Sequence, residues 1–577
     1  MFARTVLTAG RCAAAPTERV PGEEAMRMLA LLLRPVSTTT TDSAPYPPGA
    51  SRRHAVCPFH ANRSRTQRLH KRHHSELVLH PEAETCMYQA EPTESTSTVK
   101  SIDEMPGPRG LPGVGNLLKY GLFGPYSFEK IFENRMAYMK KYGPIYKEQL
   151  GPMKMVHLFD PEEAMKIFAK EGTCPNRGAQ MAPVGMVYAE KNNKPYGLVF
   201  KNGEDWINQR KLIQKLMMHP TAANPYLRQQ NAIADDFVHM VGRSLDARQE
   251  SDNLLLAMMR YTMESIAGVC FNVRLGCLEN QLPANSDAMR MIKAVQVHFQ
   301  CLHKSTFSFP WVKYFPTPLY YRYSRAGRVM EQIASEQIKQ TLRRISHKDA
   351  KEDCLMSCLA RNSKMPLNEM IALTLNFFEA GIDSTAKCMT FMMYNLARNP
   401  DKQEILYKEI VDTLGESNYV TAEALRRMPY LRACMKESFR VNYPVYAGLA
   451  RVLPEDIELM GYNIPKGTFI QVNNGTMCKM EKYFPEPEKY IPERWLRDSP
   501  EAKRTDSASF IMLPFGFGIR NCIGKRFAEQ EILLAIVKMV KHYRMEFHHG
   551  EIGMINEIFT KPDQPVRVRL LARYSSQ

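Results

Sequence analysis

The chain has 577 residues, 44% hydrophobic and 24% charged, an ordinary globular composition that excludes a low-complexity or disordered protein and can bury a large core. Its formal net charge of +17 would suit a nucleic-acid partner, but no recognition motif accompanies the charge and that class is set aside. The 13 cysteines are scattered without paired Cys-x-x-Cys sets, which argues against a zinc module or a disulfide scaffold and suits a reducing compartment.

Residues 1–95 read as a leader and residues 96–577 as one folded domain. In residues 1–80 twelve Lys and Arg stand against five acids, giving +7 of the net +17, and Ser, Thr and Ala are abundant. Arg-rich, Ser-rich and acid-poor is the composition of a mitochondrial transit peptide. Glu18, Glu23 and Glu24 fit it poorly, and a start at Met26 would give a cleaner presequence. The longest apolar run, Met28 to Leu33, falls far short of the ~20 residues that span a bilayer. After a polar stretch, Pro106 to Gly115 forms a stiff, turn-rich hinge. Beyond it the chain reads as mainly α with a small β region. Short strands are expected near 145–150, 155–159, 457–459, 469–472 and 566–570, and there are no internal repeats.

Trp206 and Arg210 stand four apart on one helical face, both bearing N–H donors. From Phe307 to Tyr323, aromatics, prolines and cations mix in a segment that can lie in a lipid headgroup layer. Aromatic core packing would use the same residues. Helix is expected from about Pro366 to Asn399. In its middle, Ala380-Gly381-Ile382-Asp383-Ser384-Thr385 breaks the apolar pattern of Leu373, Leu375, Phe377 and Phe378. Ser and Thr there tend to bond back to the i−4 carbonyl, and Gly381 costs ~1 kcal/mol against Ala. Such a groove suggests space for a small ligand, with an acid and hydroxyls suited to moving protons.

Glu437 and Arg440 share a helical face, by itself a common surface pair worth well under ~1 kcal/mol. Arg432 and Lys436 make a basic stripe on the same helix, and Lys525 and Arg526 add charge after the last motif. That motif runs from Phe515 to Gly524 and presents Cys522 from a loop punctuated by Gly516, Gly518 and Gly524, leading into a helix from Lys525 to about Tyr543. Glycine admits positive φ and close approach of a flat group. A thiolate at Cys522 would sit at a helix start, where N–H groups and the dipole stabilise negative sulfur. Bound to haem iron, such a thiolate favours O–O cleavage.

With these motifs in this order the chain resembles the cytochrome P-450 haem-thiolate monooxygenases over roughly residues 100–577. Phe515, Gly518, Arg520, Cys522 and Gly524 match the family's haem-binding signature. The resemblance implies an α-rich fold holding haem b between the long central helix and the cysteine-loop helix, with Cys522 as axial iron ligand. Glu437, Arg440 and Arg494 (in Tyr490 to Trp495) correspond to the family's structural triad. Trp206, Arg210, Arg451 and Arg520 would contact the propionates. Asp383 would feed protons, with Ser384 and Thr385 as hydroxyl relays. Ser384 departs from the usual Thr and leaves the tightness of coupling open.

Arg432, Lys436, Lys525 and Arg526 would form the docking face for an acidic ferredoxin, itself reduced by NADPH through a ferredoxin reductase. Phe307–Tyr323 would be the loop over the substrate mouth. Val445, Tyr446, Ala447, Ile558, Phe559 and Thr560 would line a pocket for a lipophilic, sterol-like or steroid-like substrate. The implied place is peripheral, on the matrix side of the mitochondrial inner membrane. Two alternatives stay open: a microsomal-type enzyme served by a diflavin reductase, and a haem-thiolate protein without monooxygenase activity.

Overall fold

The computed structural model describes residues 99–120, 124–178, 183–306, 310–346, 354–362, 365–502 and 510–573. The leader, residues 1–95, and Phe307 and Phe309 of the aromatic segment lie outside them. The principal helices are α1 (Ile131–Tyr142), α2 (Pro183–Lys191), α3 (Gly203–Met217), α4 (Leu227–Arg243), α5 (Leu254–Phe271), α6 (Asp287–Thr306), α7 (Pro318–Ser346), α8 (Leu367–Arg398), α9 (Pro429–Val441) and α10 (Lys525–His542).

Their ends follow local chemistry. Asn253 caps α5 by accepting from the Leu256 amide at 3.0 Å, and Asn272 closes it in the left-handed conformation. Helix α8 starts after Pro366 and stops where Pro400 forbids a further helical turn. Pro429 opens α9 at a position where its missing N–H costs nothing.

Helix α5 is long and apolar enough to cross a membrane, but most of it is buried. It packs along α8 and beside α4, while α6 and α7 pack on each other and α10 lies on α4 and α8. Burial of these faces forms one large apolar core, including Phe237, Tyr261, Phe271, Leu373, Phe378, Leu534 and Ile536.

The strands make a second, smaller core. β2 (Ile145–Leu150) and β3 (Met153–Leu158) form a hairpin, extended by β7 (Phe469–Val472) and β4 (Leu449–Val452) in the order β2-β3-β7-β4. β3 and β7 run parallel, with Met155 opposite Phe469; the other pairs are antiparallel. β1 (Lys100–Ser101), β6 (Tyr462–Ile464) and β5 (Ile457–Leu459) form a three-stranded sheet. β9 (Met554–Glu557) pairs with β10 (Phe559–Pro562), and β8 (Tyr543–Glu546) with β11 (Arg569–Ala572).

Two expected strands are displaced. β3 begins at Met153 rather than 155 because its register with Leu150 carries pairing to the hairpin turn. The last strand falls at 569–572 instead of 566–570. The Val566 and Val568 carbonyls instead accept from Leu254 and Ser251, ahead of α5.

A charged network ties α1 to the hairpin. Glu148 accepts from Arg135 at 2.5 Å and from the Tyr120 hydroxyl at 2.8 Å, with His157 at 3.2 Å, all buried. Burial would raise the Glu148 carboxyl, but Arg135 and His157 outweigh it and hold it at about 2. A folded-state value below the unfolded one adds stability above the unfolded carboxylate range, and that stability is lost as pH falls toward 2. Glu148→Gln should therefore lower stability at neutral pH by on the order of 3 kcal/mol. It should also flatten the decline below pH ~4.5; denaturant titrations of both proteins across that range provide the check.

Candidate active site

The loop ahead of α10 takes its shape from two glycines. Gly516 and Gly518 have φ of 77° and 66°, and a Cβ on Gly518 would meet Glu171 Oε1 at 2.3 Å. Gly524 differs. Its φ is −87°, and a Cβ there would meet no atom within 4 Å. It keeps a surface open instead of making a turn. The Cys522 amide donates to the Phe515 carbonyl at 2.7 Å, and the Phe515 ring stands edge-on to Phe439 of α9 at 5.8 Å.

Cys522 is exposed to solvent-sized contact, yet protein surrounds it closely enough that burial pushes its thiol above the ordinary value. The Gly524 amide and the Arg210 and Arg177 guanidiniums oppose that push. The two observations agree if the sulfur faces a space inside the protein. The helix start and the two guanidiniums favour the thiolate, as the sequence suggests, while desolvation opposes it. A coordinating cation would deprotonate the sulfur outright.

Behind the loop, arginines gather. Arg520 donates to the Pro175 and Lys201 carbonyls and to Asn202 Oδ1, and its guanidinium lies 3.8 Å from the centre of the Trp206 ring. Arg210 donates to Asn521 Oδ1 and to its carbonyl, and its buried Nε has no hydrogen-bond partner among the described residues. Arg451, on β4, pairs with Glu171 at 2.5 Å. Arg177 reaches the Arg520 carbonyl. Burial and then Arg177 and Arg451 push Arg520 down to about 9. Burial and then Arg451 push Arg177 down to about 10.

Four guanidiniums thus gather where, among the described residues, Glu171 pairs with Arg451 alone, and the excess positive charge suits anionic groups. Among the described residues no group of three or more His, Cys, Asp or Glu could hold a metal ion. The donors, the bare surface at Gly524 and a single open sulfur fit a planar metal porphyrin with two carboxylates. The sequence reading missed Arg177, a lone arginine in a loop with no periodic signal, and Glu171.

The Glu437–Arg440 pair, common by spacing alone, is fully buried. Arg440 donates to both Glu437 oxygens at 3.0 and 2.8 Å, and to the Cys478, Pro487 and Lys489 carbonyls. Arg494 lies 3.4 Å from Glu437, which also accepts from the Trp495 indole and the Ile491 amide, each at 2.9 Å. The network fastens α9 to the 486–495 segment on the side of the cysteine loop.

On α8, Ala380 is exposed and Gly381, Ser384 and Cys388 are partly exposed, although the helix is buried on its other sides. Residues 380, 384 and 388 share one face, and that face is left uncovered. Ser384 Oγ donates back to the Ala380 carbonyl. Asp383 is buried and pairs with Lys387 at 2.5 Å. Burial raises its carboxyl and Lys387 opposes that rise. Thr385 is buried, so Ser384 is the hydroxyl of the three that meets the opening.

Arg432, Lys436 and Lys525 do come together. Burial, then Arg432, lowers Lys436, and Lys525 adds to the effect. Arg526 and Lys525 flank Glu529 at 3.8 and 3.9 Å. In the aromatic segment Trp311, Tyr314, Phe315 and Tyr321 are exposed, whereas Tyr323 turns inward. Of the expected pocket positions, Phe559 reaches Phe299 of α6 at 5.2 Å. Tyr446 and Thr560 are buried: Tyr446 packs on Phe132, and Thr560 donates to the Tyr443 carbonyl.

The family model described as Cytochrome P450 matches residues 105–570. "Cytochrome P450 10" of Lymnaea stagnalis is 30% identical, covering 83% of this chain and 89% of its own. "Cytochrome P450 302a1, mitochondrial" of Drosophila melanogaster is 28% identical over 82% and 96% of the two chains. "Cholesterol side-chain cleavage enzyme, mitochondrial" of Oncorhynchus mykiss is 27% identical over 85% and 94%.

Removing one member of a buried ion pair leaves the other uncompensated, at roughly 3–5 kcal/mol. Glu437→Ala and Arg440→Ala should each lower the denaturant midpoint by that order. The double variant should cost less than the two together, which a double-mutant cycle measures.

Proposed function

The chain belongs to the cytochrome P450 family, haem monooxygenases with an axial cysteine thiolate, and from that premise we propose that Cys522 is the iron ligand of a mitochondrial, ferredoxin-dependent enzyme acting on a steroid-like substrate. The observation that carries the reading is the Cys522 sulfur, open to the interior at the start of α10 and flanked by arginines. When bound, haem supplies oxygen activation with two electrons and insertion of one oxygen atom into a C–H bond of the substrate.

The residues around it hold, orient and move protons. Arg177, Arg210, Arg451 and Arg520 bind the propionates, with Trp206 stacking Arg520 in place. Ser384 presents a hydroxyl to the opening on α8. Asp383 holds a proton more readily than an ordinary carboxyl and exchanges it through Lys387, within electrostatic reach of Glu557 and Lys561. Ser lacks the methyl that restricts χ1 in Thr, so its hydroxyl is less firmly aimed.

The basic face of Arg432, Lys436, Lys525 and Arg526 lies beside the triad and cysteine loop and suits an acidic ferredoxin reduced by NADPH through its reductase. The exposed Trp311, Tyr314, Phe315 and Tyr321 suit peripheral membrane contact, here assigned to the matrix side of the mitochondrial inner membrane. Relatives whose names carry "mitochondrial" and "cholesterol side-chain cleavage" support the location and the substrate class.

Three outcomes are expected. The reduced, carbon-monoxide-treated protein should show the red-displaced Soret band of thiolate ligation, and Cys522→Ser should lose it while still folding. Asp383→Asn should slow product formation roughly tenfold or more with substrate binding unchanged, read as kcat against the substrate-induced spectral shift. Lys436→Glu with Lys525→Glu should cut reduction by ferredoxin roughly tenfold at low salt, with a smaller effect at high salt. Stopped-flow reduction rates test this, with a diflavin reductase as the contrasting donor.

A further inference from the structure

Asp383 and Lys387 are sealed inside, their side chains 2% and 4% exposed, so a proton that leaves Asp383 has to be replaced through other groups. Lys387 narrows the search. Its ammonium has three donors, and among the described residues its one acceptor is Asp383 Oδ2. Buried donors are seldom left idle, so two N–H groups remain to join Asp383 to something further out.

The β9–β10 hairpin brings a carboxylate to that side of α8. β10 packs against α8, and β9 against α6. At the hairpin tip Ile558 has a φ of 70°, a left-handed conformation that strains a β-branched residue. The tight turn seats Phe559 on Phe299 of α6 at 5.2 Å, one helical turn before His303. Glu557 stands opposite Phe559 in the ladder and Lys561 follows two residues later, so all three side chains share one face of the hairpin. Lys561 donates to Glu557 at 2.7 Å, and these two side chains are 22% and 16% exposed. Solvent therefore reaches the hairpin pair but not Asp383.

The electrostatics agree with that placement. Burial lowers His303 to about 4, Glu557 opposes the fall, and Lys304, Lys387 and Lys561 add to it. Burial raises Asp383, Lys387 opposes the rise, and Glu557 adds to it while Lys561 opposes it. One buried neighbourhood thus holds the charges of α6, α8, β9 and β10.

Resting on the monooxygenase reading, we propose that Glu557 is the solvent-side end of the proton route, taking protons at the surface and passing them by way of Lys387 to Asp383. The transfers balance. As Asp383 gives its proton toward Ser384, the Lys387 ammonium replaces it, and the amine left behind regains a proton that Glu557 has taken from water. No group is oxidised or reduced, and the cluster returns to its starting charge. Lys561 is a positioning residue that holds the Glu557 carboxylate on the face toward α8.

The test mixes haem-loaded enzyme into deuterium oxide and follows exchange at the Asp383 carboxyl by rapid-scan infrared, with Asp383→Asn identifying the band. Glu557→Gln and Lys387→Met should each slow that exchange roughly tenfold or more, and Glu557→Asp should keep most of the wild-type rate. Turnover is read with NADPH, ferredoxin and its reductase, on whichever sterol or secosteroid displaces the Soret band most. Glu557→Gln should lower kcat with the spectral shift unchanged and raise the share of oxygen released as hydrogen peroxide. Because Glu557 acts through Asp383, Asp383→Asn with Glu557→Gln should fall within about twofold of Asp383→Asn alone. Exchange untouched by Glu557→Gln, or slowing that multiplies in the double variant, would overturn the proposal. The red-displaced carbon monoxide band is recorded for every protein. Its absence from wild type would bring down the monooxygenase reading, whereas its presence with exchange indifferent to position 557 brings down this route alone.

Discussion

Positive charge held inside the protein with too little negative charge to match it is the condition on which the structure turns. Arg177, Arg210, Arg451 and Arg520 surround the cysteine loop, Glu171 pairing with Arg451 among the described residues, and desolvation followed by their mutual repulsion lowers Arg177 and Arg520. Cys522 adds a thiol whose deprotonation burial opposes. Each feature is unfavourable by itself, and a single dianionic group carrying a metal relieves all of them. Folding and cofactor capture are therefore coupled: the bound group stabilises the native state in proportion to its affinity.

The scaffold around that charge is built for rigidity on one side and openness on the other. Behind the cysteine loop, Glu437, Arg440 and Arg494 are buried with nearly every donor and acceptor directed at a backbone or side-chain partner. Across from it, α8 leaves alanine, glycine and serine uncovered. The same helix confines its buried acids to separate fates: Asp383 with a cation one turn later, Glu379 with an amide and an imidazole. Two carboxyls one turn apart thus differ in what they can do because their neighbours differ.

Much of this was legible in the residues. Pro366, Pro400 and Gly524 mark the ends of α8 and α10 to within a residue or two, and the glycine punctuation of 516 and 518 gives the loop its conformation. Arg440 and Glu437 were visible as a pair, but spacing cannot tell a surface pair from one sealed in the core. Lys387, four residues after Asp383, was available from helical spacing and was passed over. Arg177 and the Glu379–His298 contact were out of reach, since nothing local marks residues that meet only through tertiary packing. The misplacement of the last strand has the same origin: the backbone of 566–568 bonds to the turn before α5, a partner no strand propensity encodes.

The parallel pairing of β3 with β7 carries a consequence for how the molecule comes into being. Met155 finds Phe469 only after more than half the chain has been made, and closing so long a loop is entropically expensive. The early hairpin lacks its inner neighbour until β7 has been made, so this sheet is among the last parts of the fold that can close.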